Sequence, residues 1–403
     1  MSNIRDGSGT HKFSSVFNQV VMDDMAKSIV AVEDGKYFDP MVYHAQEWFN
    51  FEVEAIYKKN WLALGRVGYL RDPGDYFTVT INNDPMMVVM GDDGEIRVMA
   101  AVCQHRGMLL VEEDGSVERG LFRCPLHSWS YDLRGQLKHA PEMNKTNNFS
   151  IGDICLPRLK VELWNGWIFA NYDMDAPPLA PTLVKLGEAM KNYDVENMVS
   201  LPPVELGPYP WNWKLMLENF MEPYHNAYLH KGIHEFALGH SFVEHDPSEN
   251  VIMHPTGFDR VDASFNPIHQ SLLPVITTLT QEERSQVMFA MIPPMMPLGL
   301  MPDHIFHFLV LPNGPNEIKL RVGLCFPPGS LEVQNFGKIV EWIVDGIMMY
   351  NDQDVVADTA TQVGLKSSFA PRGRFSWKET TIAQLNRWLF ARYRDYGQAE
   401  GLV

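Results

Sequence analysis

Cys103-Gln104-His105 and Cys124-Pro125-Leu126-His127 are short C-x-H and C-x-x-H pairs with eighteen residues between them. Each pair offers one soft thiolate and one borderline imidazole, so a chain that uses all four must fold back until two loops face one point. Short strands and tight turns suit that demand. Runs at 76–81, 86–90, 96–103, 161–164 and 167–170 are rich in Val, Ile, Met, Tyr and Trp and are punctuated by Gly and Asp, which predicts a small all-β domain. A tetrahedral structural zinc is one occupant for two cysteines and two histidines. Zinc sites, however, usually pair like with like, on C-x2-4-C and H-x3-5-H units. Here each loop carries one of each, which suits a two-iron, two-sulfur cluster with both thiolates on one iron and both imidazoles on the other. Neutral imidazoles in place of thiolates raise its potential, as an electron acceptor and relay requires.

A second constellation lies in NWKLMLENFMEPYHNAYLH, residues 212–230, which predicts a helix over 213–230 carrying Glu218, Glu222, His225 and His230. Three residues separate Glu222 from His225, so the carboxylate can accept the proton on that ring's second nitrogen. His225 and His230 are five apart, about 140° round a regular helix. They can share one ion only if the helix loosens, and Pro223 supplies a cause. Two histidines and a carboxylate make the facial triad of non-haem Fe(II) oxygenases. Asp354 is our choice of carboxylate, although Asp352 and Asp358 compete on similar grounds and the residue pattern leaves the matter undecided. His234, four residues beyond His230, is the strongest competing imidazole.

The remaining sequence narrows the function class. A length of 403 residues allows two or three domains, at roughly 100–200 residues each. Thirty-three basic against fifty acidic residues give a net charge of −17, which repels nucleic acid and anionic membrane surfaces. Four scattered cysteines are too few for a secreted disulfide framework, and Cys155 and Cys325 read as core thiols. The N-terminus lacks the apolar core of a signal peptide and no long apolar run is present, so a cytoplasmic protein is expected. Candidate strands at 251–253, 304–311 and 318–327 and helices at 331–363 and 379–396 predict an α+β domain with an antiparallel sheet. Residues 287–301 hold five methionines and three prolines, which excludes a regular helix and suggests the lining of an apolar pocket. That segment has no Arg or Lys, so a neutral substrate is preferred; Phe258, Phe265 and Phe289 are candidates for an aromatic cage. Arg372, Arg374, Arg387, Arg392 and Arg394 are candidates for docking an acidic partner or form a solvated face.

Taken together, both constellations resemble the oxygenase (alpha) component of Rieske non-haem iron ring-hydroxylating oxygenases, from about residue 43 to 389. CQHRG, CPLHSWSYD, NWK at 212–214, ENFMEPYHNAYLH, QDVVADTATQVGLKS at 353–367 and RGRFSWKE carry the resemblance. It implies a [2Fe-2S] Rieske cluster on Cys103, His105, Cys124 and His127, and a mononuclear Fe(II) on His225, His230 and Asp354, with Asn219 close by. It implies an all-β Rieske domain over 55–175 and a helix-grip catalytic domain over 176–403, with 1–54 packed on the latter. It further implies O2 as co-substrate, NAD(P)H acting through a ferredoxin and/or flavin reductase, and a homotrimer. In that trimer the residue at position 222 links His225 to His127 of the partner subunit. The family usually has Asp there; Glu222 is one methylene longer and resembles members acting on N-alkyl or quaternary ammonium substrates. The expected reaction is monooxygenation of a largely apolar small molecule, such as a xenobiotic, leading to N- or O-dealkylation. A cis-dihydroxylating aromatic ring dioxygenase is the alternative within the class. A zinc-stabilised binding protein is the alternative outside it, and a Rieske protein that only transfers electrons would have no use for the triad.

Overall fold

The computed structural model describes residues 12–230, 237–266 and 268–403. They form two compact units, Lys59–Pro177 and Met1–Lys58 with Pro178–Val403.

The smaller unit is built on ten strands: β1 (Leu62–Arg66), β2 (Asp75–Ile81), β3 (Asp84–Met90), β4 (Ile96–Ala100), β5 (Gly115–Ser116), β6 (Leu121–Arg123), β7 (Ser130–Asp132), β8 (Leu137–His139), β9 (Arg158–Trp164) and β10 (Trp167–Asn171). Seven of them form one sheet in the order β1-β10-β9-β4-β3-β2-β5, and β6-β7-β8 form a second. The β2–β3 hairpin turns on Asn82 and Asn83, both at positive φ, the geometry whose twist matches that of the strands. Met87, Met99, Phe122, Trp129 and Tyr131 close a core that also contains Cys103 and Cys124.

The larger unit carries an antiparallel sheet of β11 (Val199–Ser200), β12 (Val204–Tyr209), β13 (Ala237–His240), β14 (Ile252–Phe258), β15 (Gln286–Ile292), β16 (Met296–Leu300), β17 (Ile305–Pro312) and β18 (Ile318–Phe326). The order is β11-β18-β17-β16-β15-β14-β13, with β12 also paired to β18. Its helices are α1 (Gln19–Ala26), α2 (Gln46–Glu52), α3 (Val184–Met190), α4 (Trp213–Met221), α5 (Asn226–Leu229), α6 (Phe336–Leu365) and α7 (Thr380–Ala399). Helix α4 lies against β15, β16 and β17 and touches both α6 and α7. None of the described helices is long and apolar enough to cross a membrane.

One carboxylate fixes the start of α4. Glu52, fully buried, accepts hydrogen bonds from the indole N–H groups of Trp48 (3.1 Å) and Trp213 (3.0 Å), from the Tyr393 hydroxyl (2.6 Å), and from Lys214 Nζ (2.7 and 3.0 Å). Burial holds the Lys214 ammonium below its usual pKa, and Glu52 opposes that shift. Such a pair costs several kcal/mol when one partner is removed, because the other charge is left buried alone. Asn212 caps α4 by accepting from the Lys214 N–H at 3.1 Å, and its own N–H donates to Gln362 on α6.

Two expectations need correction. The helix expected over 213–230 ends at Met221, and Glu222 is extended at φ −97°, ψ 127°. Pro223 is the cause, since its ring disfavours helical geometry in the residue before it. The chain re-enters helix only for α5, whose N-cap is His225. The Met-rich segment is a β-hairpin, and of its side chains only Phe289 lines the cavity described below. Met291, Met295, Met296 and Met301 are buried away from it, and the pleat sends Met288 and Ala290 to the opposite face from Phe289.

Candidate metal centres

The break after α4 sets the geometry of the histidine pair. Glu222 Oε1 lies 2.6 Å from His225 Nδ1, while Oε2 accepts the backbone N–H groups of Tyr224 and His225. His230 Nδ1 lies 3.0 Å from Gln353 Oε1, so each ring presents its Nδ1 to an acceptor. Both Nε2 atoms then turn inward, 3.0 Å apart. From α6, Asp354 Oδ1 stands 3.1 Å from His230 Nε2 and 3.7 Å from His225 Nε2. Burial works against the charged form of His225, but Glu222 and Asp354 outweigh it and raise its pKa.

With each ring's proton held on Nδ1 by its acceptor, two lone-pair nitrogens converge on a buried carboxylate oxygen that has no hydrogen-bond donor, an arrangement that a cation between them completes. The three ligand atoms lie within 4.8 Å of one another, so the donor set fits a mononuclear ion. Of the competing carboxylates, Asp352 is exposed and Asp358 is buried beside a second cavity; neither joins the group. His234 falls outside the described residues.

A cavity of about 100 Å³ opens above this group. Phe220, Phe265, Phe289, Phe306, Phe308 and Tyr350 form its walls, Asn219, Asn351, His254 and Thr256 are polar, and no Lys or Arg is among the described residues that line it. Phe258 lies outside the lining and packs edge-on against Phe265. Sequence reasoning missed Phe306, Phe308 and His254. The alternation in Phe306-His307-Phe308 on β17 was the available signal for the first two. The arginine cluster is partly used within the fold: Arg372 binds Asp24, Ser28 and the Tyr37 carbonyl, and Arg392 stacks on Trp388 and donates to Asn250.

In the smaller unit the two Cys/His loops are copies of one turn. The N–H of Cys103 donates to Met108 C=O and that of Gly107 to Cys103 C=O; in the same way Cys124 donates to Trp129 and Ser128 to Cys124. Gly107 and Ser128 occupy the same place in each turn, both at positive φ, 72° and 60°. The turns bury Cys103 and Cys124, at 1% and 2% exposure, and leave His105 and His127 exposed with ring centroids 4.7 Å apart. His105 also stacks on Trp129 at 4.8 Å. Tyr131 accepts the Gln104 N–H at 3.0 Å, which leaves its own O–H for Cys103 Sγ at 3.4 Å. Burial pushes the Cys103 thiol up, and Cys124 adds to the rise. Among the described residues, only His225, His230 and Asp354 gather within the span of a single ion. Two buried thiolates behind two exposed imidazoles, whose ring centroids lie 4.7 Å apart, supply the donor set of a two-iron cluster with both sulfurs on one iron and both nitrogens on the other.

The sequence profile for the ring hydroxylating alpha subunit (catalytic domain) matches residues 188–395, and that for the Rieske [2Fe-2S] domain matches 60–150. The chain belongs to the ring-hydroxylating alpha subunit family. That membership implies a Rieske cluster and a mononuclear iron, and members are oxidoreductases that use O2. Among similar proteins, the chlorobenzene dioxygenase subunit alpha of Cupriavidus sp. (strain PS12) is 33% identical over 199 residues, covering 47% of this chain and 43% of that one. The carnitine monooxygenase oxygenase subunit of Acinetobacter pittii (strain PHEA-2) is 29% identical over 196 residues, covering 48% and 53%. The chain thus spans about half the length of the curated relatives it matches. Its fold is that of a quaternary ammonium Rieske monooxygenase (TM-score 0.77, 21% identity, 92% of this chain and 98% of that one). It is also that of the naphthalene 1,2-dioxygenase of Rhodococcus sp. (0.75, 19%, 93% and 97%).

Proposed function

We propose that this chain is the terminal oxygenase of a multicomponent Rieske system. In this reading it monooxygenates a neutral, largely apolar small molecule next to nitrogen or oxygen, so that the product loses an alkyl group as an aldehyde. The observation that carries the reading is the convergence of His225, His230 and Asp354 beneath an aromatic cavity whose described lining residues include no Lys or Arg. Those three residues would hold the iron, and Cys103, His105, Cys124 and His127 the cluster. When bound, the iron supplies O2 activation and the cluster supplies electrons.

The protein's share of the work is positioning. Glu222 keeps the His225 proton on Nδ1 and so frees Nε2 for the metal; Gln353 does the same for His230. The phenylalanine walls exclude water and orient an apolar substrate, and Asn219 lines the cavity beside Glu222. We assign the cluster to a domain over 55–175 and the iron to one over 176–403 with 1–54. The partners would be a ferredoxin and/or flavin reductase drawing on NAD(P)H, in a homotrimer that sets Glu222 beside His127 of the partner subunit. Glu222 and the likeness to a quaternary ammonium monooxygenase support monooxygenation. The aromatic walls support a second reading, cis-dihydroxylation of an arene, as does the likeness to a chlorobenzene dioxygenase.

Turnover of arenes, N-alkyl amides, aryl ethers and quaternary amines under 18O2 with a surrogate reductase tests this. One labelled oxygen with aldehyde release supports dealkylation, and two supports the diol. A protein containing zinc, without sulfide or any O2-dependent product, would sink both.

A further inference from the structure

Several polar side chains of the cavity have no part in holding the metal, His254 among them. His254 on β14 is 2% exposed and lines the cavity beside Thr256 and Phe289. Its ring stacks on Phe289, centroids 5.2 Å apart and planes 27° from parallel, which fixes the imidazole plane. Nδ1 faces Thr256 Oγ1 at 3.4 Å, and the same hydroxyl faces His240 Nδ1 at 3.3 Å. Nε2 is buried and meets no hydrogen-bond partner.

Burial, helped by His240, pushes the pKa of His254 down to about 3 against a weaker pull from the Pro255 and Met221 backbone. The ring therefore carries one proton. The Thr256 hydroxyl has a single proton and lies between the two Nδ1 atoms, so with that proton donated to His254 Nδ1 its oxygen accepts from His240. The proton of His254 then sits on Nε2. A buried N–H without an acceptor is costly, and in a substrate cavity the missing acceptor can come from the ligand.

We propose that His254 is the specificity-determining anchor of the cavity, and that the substrate is a neutral aromatic molecule with a hydrogen-bond acceptor, such as a carbonyl, ether or ring nitrogen, which takes the Nε2 proton. The phenylalanine walls match the ring face. Among the described residues of the lining there is no Lys or Arg to supply a carboxylate with a counter-charge, which disfavours a zwitterionic betaine. This inference rests on the proposed function only in taking the cavity as the substrate site.

Binding without turnover tests it. Acetophenone and isopropenylbenzene have the same shape and differ in C=O against C=CH2. Calorimetric titration of the purified protein should show acetophenone binding about five- to tenfold tighter, the worth of one buried hydrogen bond. In His254→Leu the preference should vanish because acetophenone alone weakens, and in His254→Gln, whose amide donates, part of it should return. L-carnitine should show no saturable binding. Equal affinity for the matched pair in the wild type, which needs no variant, overturns the proposal. So does binding of neither probe, a preference unchanged in His254→Leu, a preference lost on chelating the iron, or L-carnitine displacing acetophenone. Absence of O2-dependent product would fail the oxygenase reading while leaving this preference measurable.

Discussion

The two histidine pairs are presented in opposite ways. His105 and His127 stand exposed at the tips of two backbone-closed turns, with their cysteines buried behind them. His225 and His230 are drawn inward, each held at Nδ1 by a side chain, Glu222 or Gln353, beneath aromatic walls. An exposed imidazole edge suits exchange with something outside the protein, whereas a hidden one suits chemistry that must keep water away. The first arrangement is held by the main chain. The second depends on side chains that single substitutions can remove, and so the two should fail differently.

The largest expected effect is on the side-chain-built centre. Asp354→Ala should abolish O2-dependent product and strip mononuclear iron while the visible spectrum of the cluster persists; metal analysis with absorption spectra checks this, and joint loss would break the comparison. Next, Glu222→Gln should lower turnover about 10–100-fold, the usual cost of losing a partner behind a metal-bound histidine. Undiminished turnover would show that Glu222 neither orients His225 nor links it to another centre.

A third prediction sharpens the contrast through pH. The larger unit buries acids beside a cavity that borders Glu222: Glu218, Asp358 and, near them, Glu379 all have raised pKa values, with burial the first cause. Glu218 is pushed up to about 8 although the Tyr43 hydroxyl donates to it at 2.7 Å. The folded state therefore holds a proton that the unfolded chain releases at the ordinary value of 4.5. Its contribution is full below that value and is lost as pH rises through about 8, a change on the order of a few kcal/mol. Melting followed from pH 5 to 8.5 should show this slope, and Glu218→Gln should flatten it. The smallest expected effect belongs to the backbone-built centre. Tyr131→Phe removes the hydroxyl facing Cys103 Sγ and should lower the cluster potential without losing the cluster, as voltammetry can show.

Legibility in the sequence followed the range of the interactions. The loops around Cys103 and Cys124 are local, so spacing and ligand type exposed them; Pro223 was visible as a point where the helix loosens but not as the end of α4. Which of Asp352, Asp354 and Asp358 lies beside the histidines depends on how α6 docks on α4, a contact over more than a hundred residues. No short pattern encodes it. The Met-rich segment misled because apolar composition does not say which face of a strand meets a cavity. His254 was hidden because a lone histidine has no spacing to betray it, and its significance comes from Phe289 and Thr256 on the folded sheet.

The smaller unit interrupts the larger one in sequence, entering at Lys59 and leaving at Pro177. Its first and last strands, β1 and β10, are paired, and Trp61 Nε1 donates to the Pro177 carbonyl at 2.9 Å, so its two ends emerge side by side. The polypeptide of the larger unit therefore leaves and returns at neighbouring points. A few glycines joining Lys58 to Pro178 would bridge that gap at little entropic cost, since closing a short loop between neighbouring points removes little chain freedom.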